Sequence, residues 1–404
     1  LVKHLNIHSL YIHFPFCLKK CLYCDFASED YKLKRQDKWA EALLREIDLH
    51  RENGIDFREI KSIYIGGGSP NLISTKNFVK ITEKLLECTH SQKPAEFTVE
   101  INPVRRDEEL MSSFIRNGVN RISVGCQSFH DDELKTLGRI HSSGDIFHTV
   151  ERLKKTGFRN ISLDFIYGIP GQTLDSWRST LNQALAMEVE HLSLYNLIYE
   201  EGTPLYSLRE SNQIKPLDEK TELDMYLVAH EVLQAAGYIH YEISNWAKPG
   251  CESVHNSSYW KESYYLGLGP AAHSYDGISR WWNICSVDAY IKRLSEGKSP
   301  VEEREELNEY DREIEFLSLS LRTQSGLSIG KYENLFLVDS KRVIQKLEQR
   351  IGSDEYWIFD GNSFKLTPRG WFVCDSITNH ILEITEEVRN DHKKMFGSAR
   401  RKDR

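Results

Sequence analysis

Six short runs rich in apolar and β-branched residues, at about 9–14, 61–66, 96–101, 120–125, 160–167 and 191–197, punctuate the first half of this chain. Between them lie longer segments whose apolar residues recur at helical spacing. Strands joined by helical crossovers lie side by side in parallel, so the pattern predicts repeated βα units and one parallel sheet. An internal repeat supports this. Phe114-Ile-Arg-Asn-Gly118-Val-Asn-Arg-Ile122-Ser123 matches Leu153-Lys-Lys-Thr-Gly157-Phe-Arg-Asn-Ile161-Ser162 in design: a helix end, a C-capping glycine, then a strand opening Ile-Ser. A weaker third copy is Glu190-His-Leu192-Ser193. Six strands are too few for the eight of a closed barrel, so the expected fold is α/β, a partial (β/α)6 barrel.

In parallel barrels the chemistry gathers at the C-terminal strand ends. The distinctive residues of this chain fall there repeatedly. Cys17-Leu-Lys-Lys-Cys21-Leu-Tyr23-Cys24 follows the first strand, Gly66-Gly67-Gly68-Ser69-Pro70 the second, and Glu100-Ile-Asn102-Pro103 ends the third. Gly125-Cys-Gln127 closes the fourth, Asp164 lies late in the fifth, and Tyr195-Asn196 end the sixth. Three cysteines in one tight loop suit an iron–sulfur cluster, and since a four-iron cluster normally takes four thiolates, one iron is left for another ligand. A structural zinc site is the plain alternative, but zinc wants four ligands and the neighbouring His13 and Asp25 complete no familiar finger. A lone glycine triplet would be an ordinary turn; its place after a strand and downstream of the cysteines points to close approach of backbone to a ligand.

These residues carry a resemblance. Cys-x3-Cys-x2-Cys with Tyr23 before the last cysteine, followed by Gly-Gly-Gly-Ser-Pro, resembles the radical S-adenosylmethionine (SAM) superfamily. The wider pattern, Tyr11-Ile-His-Phe-Pro-Phe-Cys17, Val124-Gly-Cys-Gln-Ser-Phe129, Leu137-Gly-Arg139 and Asp164-Phe-Ile-Tyr-Gly-Ile-Pro170, resembles the oxygen-independent coproporphyrinogen oxidase family, and within it most closely a haem chaperone branch. The resemblance implies that Cys17, Cys21 and Cys24 hold a 4Fe-4S cluster whose fourth iron is chelated by SAM. It further implies SAM contacts at Tyr11, Gly67 and Glu100, cofactor binding at Tyr23, and contacts at Gly68, Ser69, Gln127, Arg139 and Asp164 to a second SAM of the kind found in the oxidase branch. Arg139, on a polar stretch, would otherwise read as a surface charge.

Two features separate chaperone from oxidase. The oxidase pattern carries a further cysteine two positions after the third, where this chain has Phe26, and a longer segment ahead of the cluster, where this chain has 16 residues. The motif His255-Asn256-Ser-Ser-Tyr259-Trp260 matches His-Asn-x-x-Tyr-Trp of the chaperone branch, where it is associated with haem; imidazole is a common axial ligand and aromatic rings suit a macrocycle. The competing reading is a packed aromatic turn with a hydrogen-bonded histidine. The functional expectation is a haem-binding protein that passes haem to acceptor proteins. The alternative is oxidative decarboxylation of coproporphyrinogen III.

The expected organisation is a barrel over residues 1–205, an α+β extension with the histidine motif over 206–295, a small winged-helix-like unit over 296–385 opening with a charged linker at 296–309, and a disordered basic tail over 386–404. The net charge of -8 and the lack of a basic recognition helix disfavour nucleic-acid binding, including radical modification of RNA. No apolar run approaches the roughly 18 residues of a membrane span. Nor does a signal-peptide core precede Cys17, so the reading places the protein in the cytoplasm with its remaining cysteines as free thiols. It leaves room for weak association of the tail with an anionic membrane and for a homodimer.

Overall fold

The structure is a computed structural model that describes residues 5–90, 92–103, 108–352 and 355–399. The six strands form: β1 Ser9–Phe14, β2 Ser62–Gly67, β3 Glu96–Ile101, β4 Arg121–Gln127, β5 Asn160–Tyr167 and β6 His191–Asn196. They neighbour one another in chain order and every pairing is parallel. Their burial is nearly continuous, as expected of strands covered on both faces.

The crossover helices form for local reasons. Thr75–Cys88 buries Phe78, Ile81, Leu85 and Cys88, one stripe at helical spacing, and Ser74 caps it by accepting from the Asn77 amide. Ser143–Thr156 starts at a capping box, Ser142 with Asp145, and stops at Gly157, whose φ of 113° is left-handed. The matching glycine of the repeat, Gly118, has φ 92°. The repeat is therefore a repeated stop signal.

The barrel sheet continues past both edges. Beside β6 lies β7, Asn245–Ala247, antiparallel with Leu192 opposite Trp246. Beside β1 lies β8, Tyr265–Leu268, parallel with Tyr265 opposite Ser9, followed by the antiparallel strands β9 His273–Tyr275, β10 Ser279–Asn283 and β11 Val301–Glu306. β11 lies inside the stretch read as a charged linker. Its residues after Val301 are all charged and exposed, so no alternation marks it as a strand. Such charge on an outer strand also discourages pairing with another chain.

The chain divides into two compact units, one holding the barrel and its sheet extensions, the other His240–Ile243, Trp260–Glu262 and the chain from Leu307. The second unit builds on helices Glu309–Leu321, Ile329–Phe336 and Ser340–Ile351, with a small antiparallel sheet of Leu327–Ser328, Trp357–Phe359 and Ser363–Leu366. Its core includes Phe316 stacked on Tyr332, with buried Glu313 accepting from Tyr332 Oη at 2.8 Å and from Arg389 Nη1 at 2.7 Å. The last helix, Cys374–Ala399, runs through much of the segment expected to be a disordered tail, and residues 400–404 of that tail lie outside the described ones.

Candidate functional site

The loops at the C-terminal strand ends enclose a cavity of about 470 Å³. Cys17, Cys21, Tyr23 and Cys24 line it from the loop after β1, and Gly67 and Gly68 from the turn after β2. Glu100, Asn102, Gln127, Arg139, Asp164, Tyr195 and Asn196 complete the wall from the later strands. Residues more than 100 positions apart thus meet because parallel strands deliver all their ends to one rim.

The glycine turn is dictated by crowding. Gly67 has φ 104°, and a Cβ there would sit 2.5 Å from His13 Cε1. His13 has little room to yield, since Nδ1 meets Tyr11 Oη at 3.1 Å and Nε2 meets the Ala27 carbonyl at 2.7 Å. A Cβ on Gly68 would meet the Phe16 carbonyl oxygen at 2.5 Å. The amides of Gly68 and Ser69 donate to the Phe14 and Phe16 carbonyls, lacing the turn onto the segment that leads into Cys17. Tyr11 is absent from the cavity wall; its hydroxyl supports His13 beneath the turn instead.

A polar chain links two of the cysteines. Arg139 donates to Cys21 Sγ at 3.3 Å, to the Gly125 carbonyl at 2.7 Å and to Asn102 Oδ1. Asn102 donates to Ser69 Oγ at 2.6 Å, and Ser69 reaches Cys17 Sγ at 3.7 Å. The Arg139 partner carbonyl is presented by a bulge, where β4 skips one residue between Gly125 and Gln127 against β5, and Gln127 takes the left-handed φ of 69°. Arg139 is therefore part of the cavity wall and not a surface charge.

The donor set fits an iron–sulfur cluster. Burial raises the Cys17 thiol and pushes Cys24 up to about 11, so both stay protonated unless a positive centre such as cluster iron lies beside them. Among the described residues no three His, Cys, Asp or Glu converge to hold a single ion. Each cysteine of a four-iron cube sits on its own iron, so the three sulfurs need only surround a shared space. Guanidinium and hydroxyl donors to two of them fit the electron-rich sulfurs of such a group.

Two carboxylates face the same cavity. Burial pushes Glu100 up to about 7, with repulsion from Asp164 adding to it against the stabilising hydrogen bonds from Tyr64 Oη at 2.7 Å and the Gly67 amide at 3.1 Å. Burial also raises Asp164, which accepts from Ser123 at 2.9 Å and Ser162 at 3.3 Å. Because the folded value of Glu100 exceeds its ordinary 4.5, its ionisation opposes folding increasingly as pH rises from 4.5 to about 7. Glu100→Gln is expected to stabilise the metal-free chain by on the order of 2 kcal/mol near pH 8, discounted for water in the open cavity, and by about half that near pH 5.5. Urea midpoints at the two pH values check this; an equal or larger gain at the lower pH would refute it.

The histidine motif lies elsewhere. His255 is 1% exposed, on the short helix Val254–Trp260, which bonds to Ser9, Ser62 and Glu96, the first residues of β1, β2 and β3. Its Nδ1 bonds Ser62 Oγ at 2.9 Å and its Nε2 bonds Tyr259 Oη at 2.9 Å. Glu96, first residue of β3, caps the helix by accepting from the Val254 amide at 2.7 Å and the His255 amide at 3.2 Å. Burial holds the imidazole neutral, down at about 3. The structure thus places His255 and Tyr259, expected to contribute to a haem site, in direct contact, with both imidazole nitrogens hydrogen-bonded in this conformation. Trp260 belongs to the second unit.

Asn102, Tyr64 and His13 were not singled out from sequence as site residues. Asn102 stands two positions after Glu100, on the same strand face by the period of two, which was the available signal. His13 and Tyr64 matter through contacts across β1, β2 and β3, for which no local signal exists.

A six-stranded parallel barrel with three cysteines after its first strand and a glycine turn after its second defines the radical SAM class, and the Radical SAM superfamily model matches residues 11–184. The HemN C-terminal domain model matches residues 307–373. Heme chaperone HemW of Lactococcus lactis is 32% identical over 378 residues, covering 93% of this chain and 97% of that protein. HemW of Bacillus subtilis is 37% identical over 80% of this chain and 86% of its own. The chain belongs to the HemW family, within the coproporphyrinogen oxidase-like group of the radical SAM superfamily. Coproporphyrinogen III oxidase HemN from Escherichia coli shares the fold, with a TM-score of 0.80 over 94% of this chain and 91% of that one at 21% identity. Superfamily membership implies a 4Fe-4S cluster and SAM. Among the described residues no helix is long and apolar enough to cross a membrane.

Proposed function

We propose that the protein is a haem chaperone that carries a 4Fe-4S cluster and SAM and hands haem to acceptor proteins. The observation that carries this reading is the chain-long similarity to relatives named haem chaperones, 93% of this chain against 97% of the lactococcal protein. Bound together, cluster and SAM supply reductive radical chemistry that belongs to the cofactors. In this reading Cys17, Cys21 and Cys24 hold three irons and leave the fourth to SAM. Gly67 and Gly68 keep side chains out of the turn facing SAM, Tyr23 and Gln127 line its walls, and Glu100 and Asp164 offer negative charge to its cationic end. Arg139 and Ser69 donate to cysteine sulfur.

At the cavity mouth, Phe26 and Ile198, 55% and 64% exposed, offer apolar surface that a porphyrin face would cover. Phe26 stands where the oxidase pattern has its further cysteine, which favours carriage over decarboxylation. The HemN-like fold makes decarboxylation the competing reading. Anaerobic reconstitution with parallel assays separates the two. Stable haem uptake, haem transfer to an apo-haemoprotein and no coproporphyrinogen turnover are expected; efficient turnover would overturn the proposal. Loss of uptake in His255→Ala with cluster and SAM binding retained would support His255 as part of the haem site, and full uptake would remove it from that site.

A further inference from the structure

His255 joins the N-terminal ends of the barrel strands to the cavity side. Its ring lies against Tyr64, with centroids 5.0 Å apart and planes 28° apart. The Tyr64 hydroxyl donates to Glu100 Oε1 at 2.7 Å, while Glu100 Oε2 accepts from the Gly67 amide at 3.1 Å. The imidazole itself is clamped on both sides, by Ser62 from β2 and by Tyr259 from its own helix. Ser62 also donates to Ser9 Oγ at 3.0 Å, and Ser9 to Ser258 Oγ at 2.7 Å, so the clamp is tied to β1 and to the helix at once. A packing role would need only a side chain of the right volume. Pairing both nitrogens in a buried setting fixes the orientation of that ring, because a rotated imidazole would leave two buried polar groups unsatisfied.

We infer that His255 is a positioning residue for the cavity: it holds the plane of Tyr64, and Tyr64 in turn holds the Glu100 carboxylate where it meets SAM. The inference rests on the reading of Glu100 as a SAM contact. It gives the motif a task in the resting, haem-free chain, distinct from any contact with haem.

The test is SAM affinity of the haem-free, cluster-reconstituted protein, measured by equilibrium dialysis, in a double-mutant cycle. An aromatic pair of this kind accounts for roughly a three- to tenfold change in affinity. His255→Ala is expected to weaken SAM binding by that factor, His255→Phe to retain most of the affinity by keeping a plate under Tyr64, and Glu100→Gln to weaken binding by itself. In the Glu100→Gln background, His255→Ala is expected to cause no further loss. Equal losses in both backgrounds, or no loss in the single variant, would overturn the inference. Undiminished affinity in Glu100→Gln would instead overturn the reading of Glu100 beneath it, and the inference with it. Should His255→Ala not fold, His255→Leu, which fills the space without a ring, carries the same expectations.

Discussion

Cys21→Ser is expected to abolish the iron–sulfur cluster. A serine oxygen is a poor substitute for a thiolate on iron, and Cys21 is the sulfur toward which Arg139 donates, so the variant removes one of three ligands and one of the acceptors of that guanidinium. Iron and acid-labile sulfide per chain after anaerobic reconstitution are expected to fall to background, with loss of the visible charge-transfer absorption. Arg139→Gln keeps all three sulfurs and breaks the chain from Cys21 through Asn102 and Ser69 to Cys17. Its expected effect is graded: a cluster that forms but is lost to chelator about 10- to 100-fold more readily, the usual scale for groups supporting metal ligands. A fully loaded, stable cluster in Cys21→Ser would show that the triplet is not the ligand set.

Gly67→Ala is expected to damage the cavity wall severely. The alanine must adopt φ 104°, costing about 1–2 kcal/mol, and its Cβ must displace His13 from 2.5 Å, costing about 1–3 kcal/mol more. Displacing His13 loosens Tyr11, and moving the Gly67 amide removes a donor from Glu100. SAM affinity is therefore expected to drop at least tenfold, alongside a clear fall in thermal midpoint. Gly171→Ala is the control. That glycine has φ 84° but nothing within 4 Å of a built Cβ, so it carries the backbone strain without the collision. Equal destabilisation by the two substitutions would show that the crowding at Gly67 does not matter.

Much of this site was legible because its signals are local. The cysteine loop, the glycine turn, Glu100 and Asp164 each stand just after or at the end of an apolar run, and β-branched runs of six to eight residues announce themselves. The outer strands β7 to β11 did not. They are three to six residues long, rich in aromatics or charge, and take their strand form from the edge they extend. The disordered tail was a reading of charge composition, whereas the helix Cys374–Ala399 draws support from Ile377, Ile381, Ile384 and Val388, a buried stripe running well past His380.

The sequence by itself determined the parallel barrel, the cysteine triplet and the rim on which its loops meet. These follow from chain order: period-two strands, helical crossovers and glycine stops leave the strand ends only one side to share. Tertiary structure alone decided what the rim residues do to one another. Arg139 became a sulfur donor because a bulge at Gln127 turns the Gly125 carbonyl toward it, and the three glycines became obligatory because Tyr64, Glu100, His13 and the Phe16 backbone crowd them. It also decided the place of His255. The residues that saturate its imidazole, Ser62 and Tyr259, lie on separate elements, and whether a histidine nitrogen is open to a metal depends on partners that no local spacing reveals.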